Sequence, residues 1–156
     1  MSMLRKTFLL IIFLLLSACG YEAIHSKKNI DNYNFSINEL SFLGDRTVNL
    51  KIKEKLNIYT LNKKNKNFSL KVFSITKKEI LGKNVSGDPI GFKSSVSVKI
   101  EYLDNNRTKN NISIVESFNY NNNANKFDLK KYEKEIKNNL AELITNKLIF
   151  KLTKIQ

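Results

Sequence analysis

The sequence predicts an α+β two-layer sandwich: a four-stranded, mostly antiparallel sheet with two amphipathic helices on one face, in the order β-α-β-β-β-α. Three observations carry this reading. Residues 92–102 alternate strictly, with Phe92, Ser94, Val96, Val98, Ile100 and Tyr102 on one side and Lys93, Ser95, Ser97, Lys99 and Glu101 on the other. Leu129, Tyr132, Ile136, Leu140, Leu143, Ile144 and Leu148 keep one face of a helix for five turns. A sheet with one apolar side needs cover on that side only, and two one-faced helices supply it.

In chain order, Phe35–Ile37 alternates as a first strand, and its phase slips at Glu39–Leu40 before Phe42, which suggests a bulge. Gly44-Asp45 stops the strand, and Asp45 is the expected N-cap of the element that follows. There Val48, Ile52, Leu56 and Tyr59 share one helical face, with Leu50 and Ile58 broadening it. Val48-Leu50-Ile52 alone would suit a strand equally, but the longer pattern is read as helix.

"NKKNKN" is solvated punctuation, and Phe68, Leu70 and Val72 alternate as the second strand, with Phe73 and Ile75 out of phase beyond it. Residues 82–91, "GKNVSGDPIG", hold three of the five glycines and the only proline, and so form the main loop. The alternating third strand follows. "DNNRTKNN" is a hairpin turn into a fourth strand carrying Ile112, Ile114, Phe118 and Tyr120, with Glu116 interrupting. Asp128 is the expected cap of the last helix. A crossover through the first helix makes strands 1 and 2 parallel, and strands 2, 3 and 4 form a meander.

The N-terminus reads differently. Phe8–Leu16 is nine apolar residues, about 14 Å of helix, against the ~20 residues a membrane span needs. Arg5 and Lys6 precede the run and Ser17-Ala18 follow it, the flanks of a secretory signal. The run ends on Leu16-Ser17-Ala18-Cys19, and Cys19 is the only cysteine. This ending resembles the bacterial lipobox, in which the cysteine receives a diacylglycerol, the leader is cut before it, and the new amino group is acylated. Residues 1–18 are then the leader, 19–33 the lipidated cysteine and a tether, and 34–156 a single domain. Two or three acyl chains anchor far more firmly than one. Gly20 stands where an Asp would resemble an inner-membrane retention mark, which favours the outer membrane.

Removing the leader leaves 138 of 156 residues and lowers the charge from +13 to +11, because Arg5 and Lys6 go and no acid does. So basic a domain suits nucleic acid, anionic lipid or phosphorylated glycolipid. Nucleic acid is set aside, since 24 of the 27 basic residues are lysine and arginine is the better bidentate reader of phosphate and guanine. His25 is the single histidine, with no second metal ligand beside it, and no catalytic constellation or phosphate-binding glycine loop is present. The chain is therefore expected to be neither an enzyme nor a cofactor protein, apart from the lipid on Cys19.

The meander brings the end of strand 2, the start of strand 3 and the end of strand 4 to one end of the sheet. That end collects Lys83, Lys93 and Lys126, while Arg107 and Lys109 lie in the hairpin at the other end. Converging ammonium groups can bind phosphate as point charges, although in a lysine-rich chain the same three residues could be ordinary solvated lysines.

The lipobox cysteine with Gly20 and Tyr21 after it, the element order, "GFKSSVSVKIEYLDNN" and "SFNYNNNANKFDLKKYEKEIKNNLAELITNKL" together resemble the LptE family, the lipoprotein subunit of the lipopolysaccharide translocon. Residues 23–66 carry little that matches, and the chain is richer in Lys and Asn and poorer in Arg than that family. The resemblance implies an outer-membrane lipoprotein on the periplasmic side that plugs and helps assemble a large β-barrel partner (LptD-like). It implies lipopolysaccharide binding near one end of the sheet, with Lys126 and Lys83 the candidates by matching loops and Lys93 by topology. The polar outer strand faces would suit a polar barrel lumen. The alternative keeps the anchor and makes the chain an auxiliary subunit of a transporter or an activator of a peptidoglycan synthase. A carrier of apolar ligands would need a cavity.

Overall fold

The structure, a computed structural model, describes residues 34–61, 63–105 and 108–155. The leader, Cys19, the tether with His25, and Arg107 lie outside the described residues. The elements are β1 (Phe35–Gly44), α1 (Arg46–Leu56) with a 3₁₀ turn (Asn57–Thr60), β2 (Lys66–Lys83), β3 (Pro89–Leu103), β4 (Lys109–Asn121) and α2 (Lys126–Lys154). The sheet order is β1-β2-β3-β4, with β1 parallel to β2 and the remaining pairs antiparallel. This is the expected α+β architecture.

The phase slip in β1 is a bulge. Ile37 pairs with Phe68 and Glu39 with Ser69, so Asn38 is an extra residue. That insertion moves Leu40 and Phe42 onto the core face, opposite Leu70 and Val72. At the other end of β1, Gly44 has φ of +101°, and a Cβ built there would lie 1.9 Å from the Ser74 carbonyl oxygen. Only glycine fits so close an approach. The next residue closes the corner. The Asp45 N–H donates to the Ser74 carbonyl at 3.1 Å, and its carboxylate accepts from the Thr47 and Val48 N–H groups at 2.9 and 3.2 Å, capping α1 as expected.

Helix α1 buries Val48, Ile52, Leu56 and, through the 3₁₀ turn, Tyr59. Leu50 does not broaden that face. It is 57 % exposed, because two positions from Val48 is about 200° around a helix. Ile58 packs partly against the core, as expected. The stacked rings of Phe35 and Tyr59, 4.9 Å apart, seal the end of the core where β1 begins, with Phe68 and Tyr102 following edge to face.

Strand β2 runs on far past Val72. Ser74 and Thr76 continue the core-side phase, while Phe73 and Ile75 point to the helix-free face. Polar groups inside and apolar groups outside invert the usual pattern. Ser74 is fully buried, and its hydroxyl donates to Asn49 Oδ1 at 2.7 Å. The helix-free face is consequently less polar than expected: Leu43 neighbours Phe73, and Ile75, Ser97 and Val115 share one row across the sheet.

Helix α2 is capped by Asn125, not Asp128. The Asn125 side chain accepts from the Phe127 and Asp128 N–H groups, and Asp128 sits in the first turn, where a carboxylate favours the positive end of the helix dipole. Its buried stripe is Leu129, Ile136, Leu140, Ala141, Ile144, Thr145, Leu148 and Leu152. Tyr132 and Leu143 stay about half exposed, since Ala141 and Thr145 occupy the contact with the sheet and α1. Thr145 is satisfied by donating to the Ala141 carbonyl at 2.7 Å.

Two predictions follow from the corner. Gly44→Ala should destabilise by on the order of 3–5 kcal/mol through backbone collision. Gly87→Ala, also at positive φ but in open space, should cost only about 1–2 kcal/mol. Equal urea midpoints for the two variants would contradict the corner's role. Partial burial tends to raise the Asp45 carboxyl, but the hydrogen bonds from Val48, Thr76 and Lys137 and the Lys137 charge outweigh it and hold the group below its usual range. Asp45 therefore stabilises the fold above its unfolded value near ~3.9, and this contribution fades as pH falls through the lower folded value. Asp45→Asn should be less stable than wild type at pH 7 and 5, with the gap closing below about pH 4. A gap of constant size at pH 2.5 in urea melts would refute it.

Candidate functional site

Beyond Ser74, strand β2 has no strand on its β1 side, because β1 turns into α1 at Gly44. The β2–β3 hairpin therefore projects from the body with one bare edge. Lys77, Lys78 and Glu79 and the register shifts around Leu81 and Gly82 guard that edge against pairing with another strand. Strand pairing persists to Lys83 opposite Pro89, so the expected ten-residue loop shrinks to residues 84–88. Asn84 locks this tip. Its Oδ1 accepts from the Ser86 and Asp88 N–H groups, and its N–H donates to the Asp88 carbonyl at 2.9 Å. Gly87 supplies the positive φ, and Val85 stands fully exposed at the apex.

On the helix side of this end, β2, β3, β4 and the first turns of α2 enclose an open cleft of about 980 Å³. Leu81, Ile90, Phe118 and Tyr132 give it apolar walls, Tyr120 contributes to its floor, and Asn119 and Asn121 to Asn123 line one flank. Asn122 is fastened by its N–H to the Ile90 carbonyl and by its Nδ2 to the Pro89 carbonyl, at 2.9 and 2.7 Å. Its buried Oδ1 has no hydrogen-bond partner among the described residues.

Beside the cleft floor lies a compact polar cluster. Glu133 Oε1 accepts from Lys78 Nζ at 2.5 Å and from the Tyr120 hydroxyl at 2.9 Å, while Lys78 Nζ also lies 3.8 Å over the Phe92 ring. Burial works to raise the Glu133 carboxyl, but the Lys78 and Tyr120 hydrogen bonds and nearby lysine charges hold it below the usual range. Burial, then the Glu133 bond and charge, push the Tyr120 phenol well up. Glu133 therefore stays ionised and Tyr120 protonated near neutral pH. Among the described residues no three His, Cys, Asp or Glu side chains gather as metal ligands would.

The sequence-predicted lysines share this end of the sheet but not one face. Lys83 closes β2 at the tip, and Lys126 is the first residue of α2. Lys93 pairs with Glu79 and Asn119 and alternates with buried Phe92 and Ser94, so it lies on the helix-free face. None of the three forms an ion pair among the described residues. Sequence reasoning missed the apolar component. Of the fifteen large apolar side chains exposed among the described residues, seven (Ile80, Leu81, Val85, Ile90, Phe118, Phe127 and Tyr132) belong to this end. That concentration marks it as a candidate interaction surface.

No protein-family model matches the chain, and no curated protein matches it in sequence. Solved structures do share its fold. Rare lipoprotein B from Shewanella oneidensis superposes with a TM-score of 0.53 at 13 % identity, over 71 % of this chain and 93 % of that one. A minor lipoprotein from Acinetobacter baumannii gives 0.55 at 12 % identity, over 78 % of this chain and 91 % of that one. The chain thus has a fold that bacterial lipoproteins use.

Tyr120→Phe should cost about 1 kcal/mol by removing one donor to an ionised acceptor, and should raise the Glu133 titration midpoint. An unmoved midpoint, read by NMR of the carboxyl carbon, would disprove the contact.

Proposed function

We propose that this chain is an outer-membrane lipoprotein, anchored by acyl chains on Cys19, that seats in and helps assemble the large β-barrel of the lipopolysaccharide translocon. Its hairpin end meets lipopolysaccharide during insertion into the outer membrane. The observation that carries the reading is the pairing, at one end of the sheet, of clustered exposed apolar side chains with the unpaired lysines Lys83 and Lys126. A phosphorylated glycolipid has both parts, anionic head and apolar tail. The Leu-Ser-Ala-Cys ending and the fold shared with bacterial lipoproteins support the anchor and the family resemblance. The role is binding and scaffolding, with no chemical step and no cofactor beyond the covalent lipid.

At about 1 kcal/mol per lysine facing an anionic surface, the Lys83→Ala, Lys93→Ala, Lys126→Ala triple variant should bind lipopolysaccharide at least about tenfold more weakly. Its urea midpoint should not change, because all three side chains sit at the surface of the fold. Unchanged affinity would return these lysines to ordinary solvated charges. Cys19→Ala should accumulate as an uncleaved, unacylated precursor, and normal acylation of that variant would defeat the anchor.

A further inference from the structure

We infer that the cleft between the hairpin and the first turns of α2 seats one hydrocarbon chain of an anionic amphiphile, whose head group is met by Lys83 and Lys126 at the mouth. The inference deepens the proposed function and rests on its reading that this end receives an acylated anionic molecule.

The order of chemistry across the cleft carries it. Leu81, Ile90, Phe118 and Tyr132 are each about half exposed, and each contributes part of its surface to the lining of one groove. A hydrocarbon chain laid there would bury surface on four side chains at once. The floor presents no unbalanced charge, since the Glu133 carboxylate is engaged by Lys78 and Tyr120 and offers nothing to repel an apolar guest. The one acidic side chain in the lining, Asp128, is held in the first turn of α2. Cationic groups border the cleft without lining it: Lys83 follows Gly82, and Lys126 lies two residues from both Ala124 and Asp128. Apolar walls inside a basic mouth follow the sequence of parts of an anionic amphiphile. Asn122 Oδ1, the buried unpartnered acceptor in the same lining, suits a hydroxyl or amide N–H near the root of the chain. The volume of about 980 Å³ is that of a ligand cleft, and its opening lets the head group stay in water.

The helix-free face offers a competing apolar strip around Phe73 and Ile75. There Leu43 and Val115 extend the strip among strand lysines and serines on a sheet surface, with the Lys71 ammonium 5.2 Å from the Phe73 ring. The strip therefore serves as the internal control for where a chain goes.

The test uses the full lipidated chain in phosphatidylcholine nanodiscs, with empty nanodiscs subtracting probe partition. Dodecyl phosphate below its micelle concentration and ethyl phosphate are titrated, and side-chain NMR signals of Ile90, Phe118 and Tyr132 are followed. Dodecyl phosphate should bind at least about tenfold more tightly than ethyl phosphate, moving those three signals and leaving Phe73 and Ile75 still. Ile90→Asn with Phe118→Asn, two exposed positions whose substitution should spare the fold, should bring both probes to one affinity. Equal affinities in the wild type, shifts confined to Phe73 and Ile75, or binding to anionic bilayers but not to monomeric dodecyl phosphate would overturn the inference. The glycolipid reading fails separately. Chain-selective binding of dodecyl phosphate without lipopolysaccharide binding would leave the cleft assigned and remove the glycolipid. Lipopolysaccharide binding that depends on the lysines, with no preference between the probes, would do the reverse.

Discussion

At the Gly44–Asp45 corner the backbone of β1 comes so near Ser74 that no side chain fits, and four elements are joined within two residues. Gly44 ends β1, and the Asp45 carboxylate caps α1. The same carboxylate accepts from the Thr76 hydroxyl of β2 at 2.8 Å and from Lys137 Nζ of α2 at 3.3 Å. Both helices are thereby referenced to the sheet at one point. Because β1 leaves the sheet there, β2 continues alone beside β3, and the hairpin end becomes a projecting ribbon with a free edge. The functional geometry proposed for that end is a consequence of the corner.

Other ties repeat the arrangement. Lys55 of α1 meets Glu142 of α2 at 2.6 Å, Lys78 of β2 meets Glu133, and Lys147 of α2 pairs with Glu116 of β4. Exposed ion pairs contribute little stability singly. Here they fix the rotation of α2 about its axis, because three of them reach from separate turns of one helix to separate elements. The core beneath supplies the stabilisation: Phe68, Val72, Val96, Val98 and Ile100 of the sheet are fully buried under Val48, Ile52, Leu56, Ile144 and Leu148.

The fold was legible wherever burial and hydropathy agreed. β3 keeps a strict period of two, and the β1 bulge showed itself as a broken phase. The far half of β2 was not legible, since Ser74 and Thr76 face inward through hydrogen bonds while Phe73 and Ile75 face out. Pattern reading weighs side chains by hydropathy and cannot see that a buried serine has a partner 25 residues away in Asn49. The same limit moved the cap of α2 from Asp128 to Asn125, as either residue type can cap and only the path of the chain from β4 decides. At the site, topology gathered Lys83, Lys93 and Lys126 at one sheet end. The alternation of β3 had already put Lys93 on the face opposite Phe92, and the register agrees. The cleft itself left no local signal. Its walls come from residues 81, 90, 118 and 132, far apart in sequence and each unremarkable alone. Lys78 and Glu133 were invisible as a pair for the same reason.

Under the proposed function, the end of the sheet where seven exposed apolar side chains sit with Lys83 and Lys126 meets amphiphile, and the rest of the domain meets protein. The most direct test is affinity isolation of the tagged, lipidated chain from detergent-solubilised envelope, followed by mass spectrometry. Stoichiometric recovery of one large outer-membrane β-barrel is the predicted result. Recovery of only an inner-membrane transporter or a peptidoglycan synthase would contradict the account, leaving the fold intact and assigning the chain to a different envelope machine.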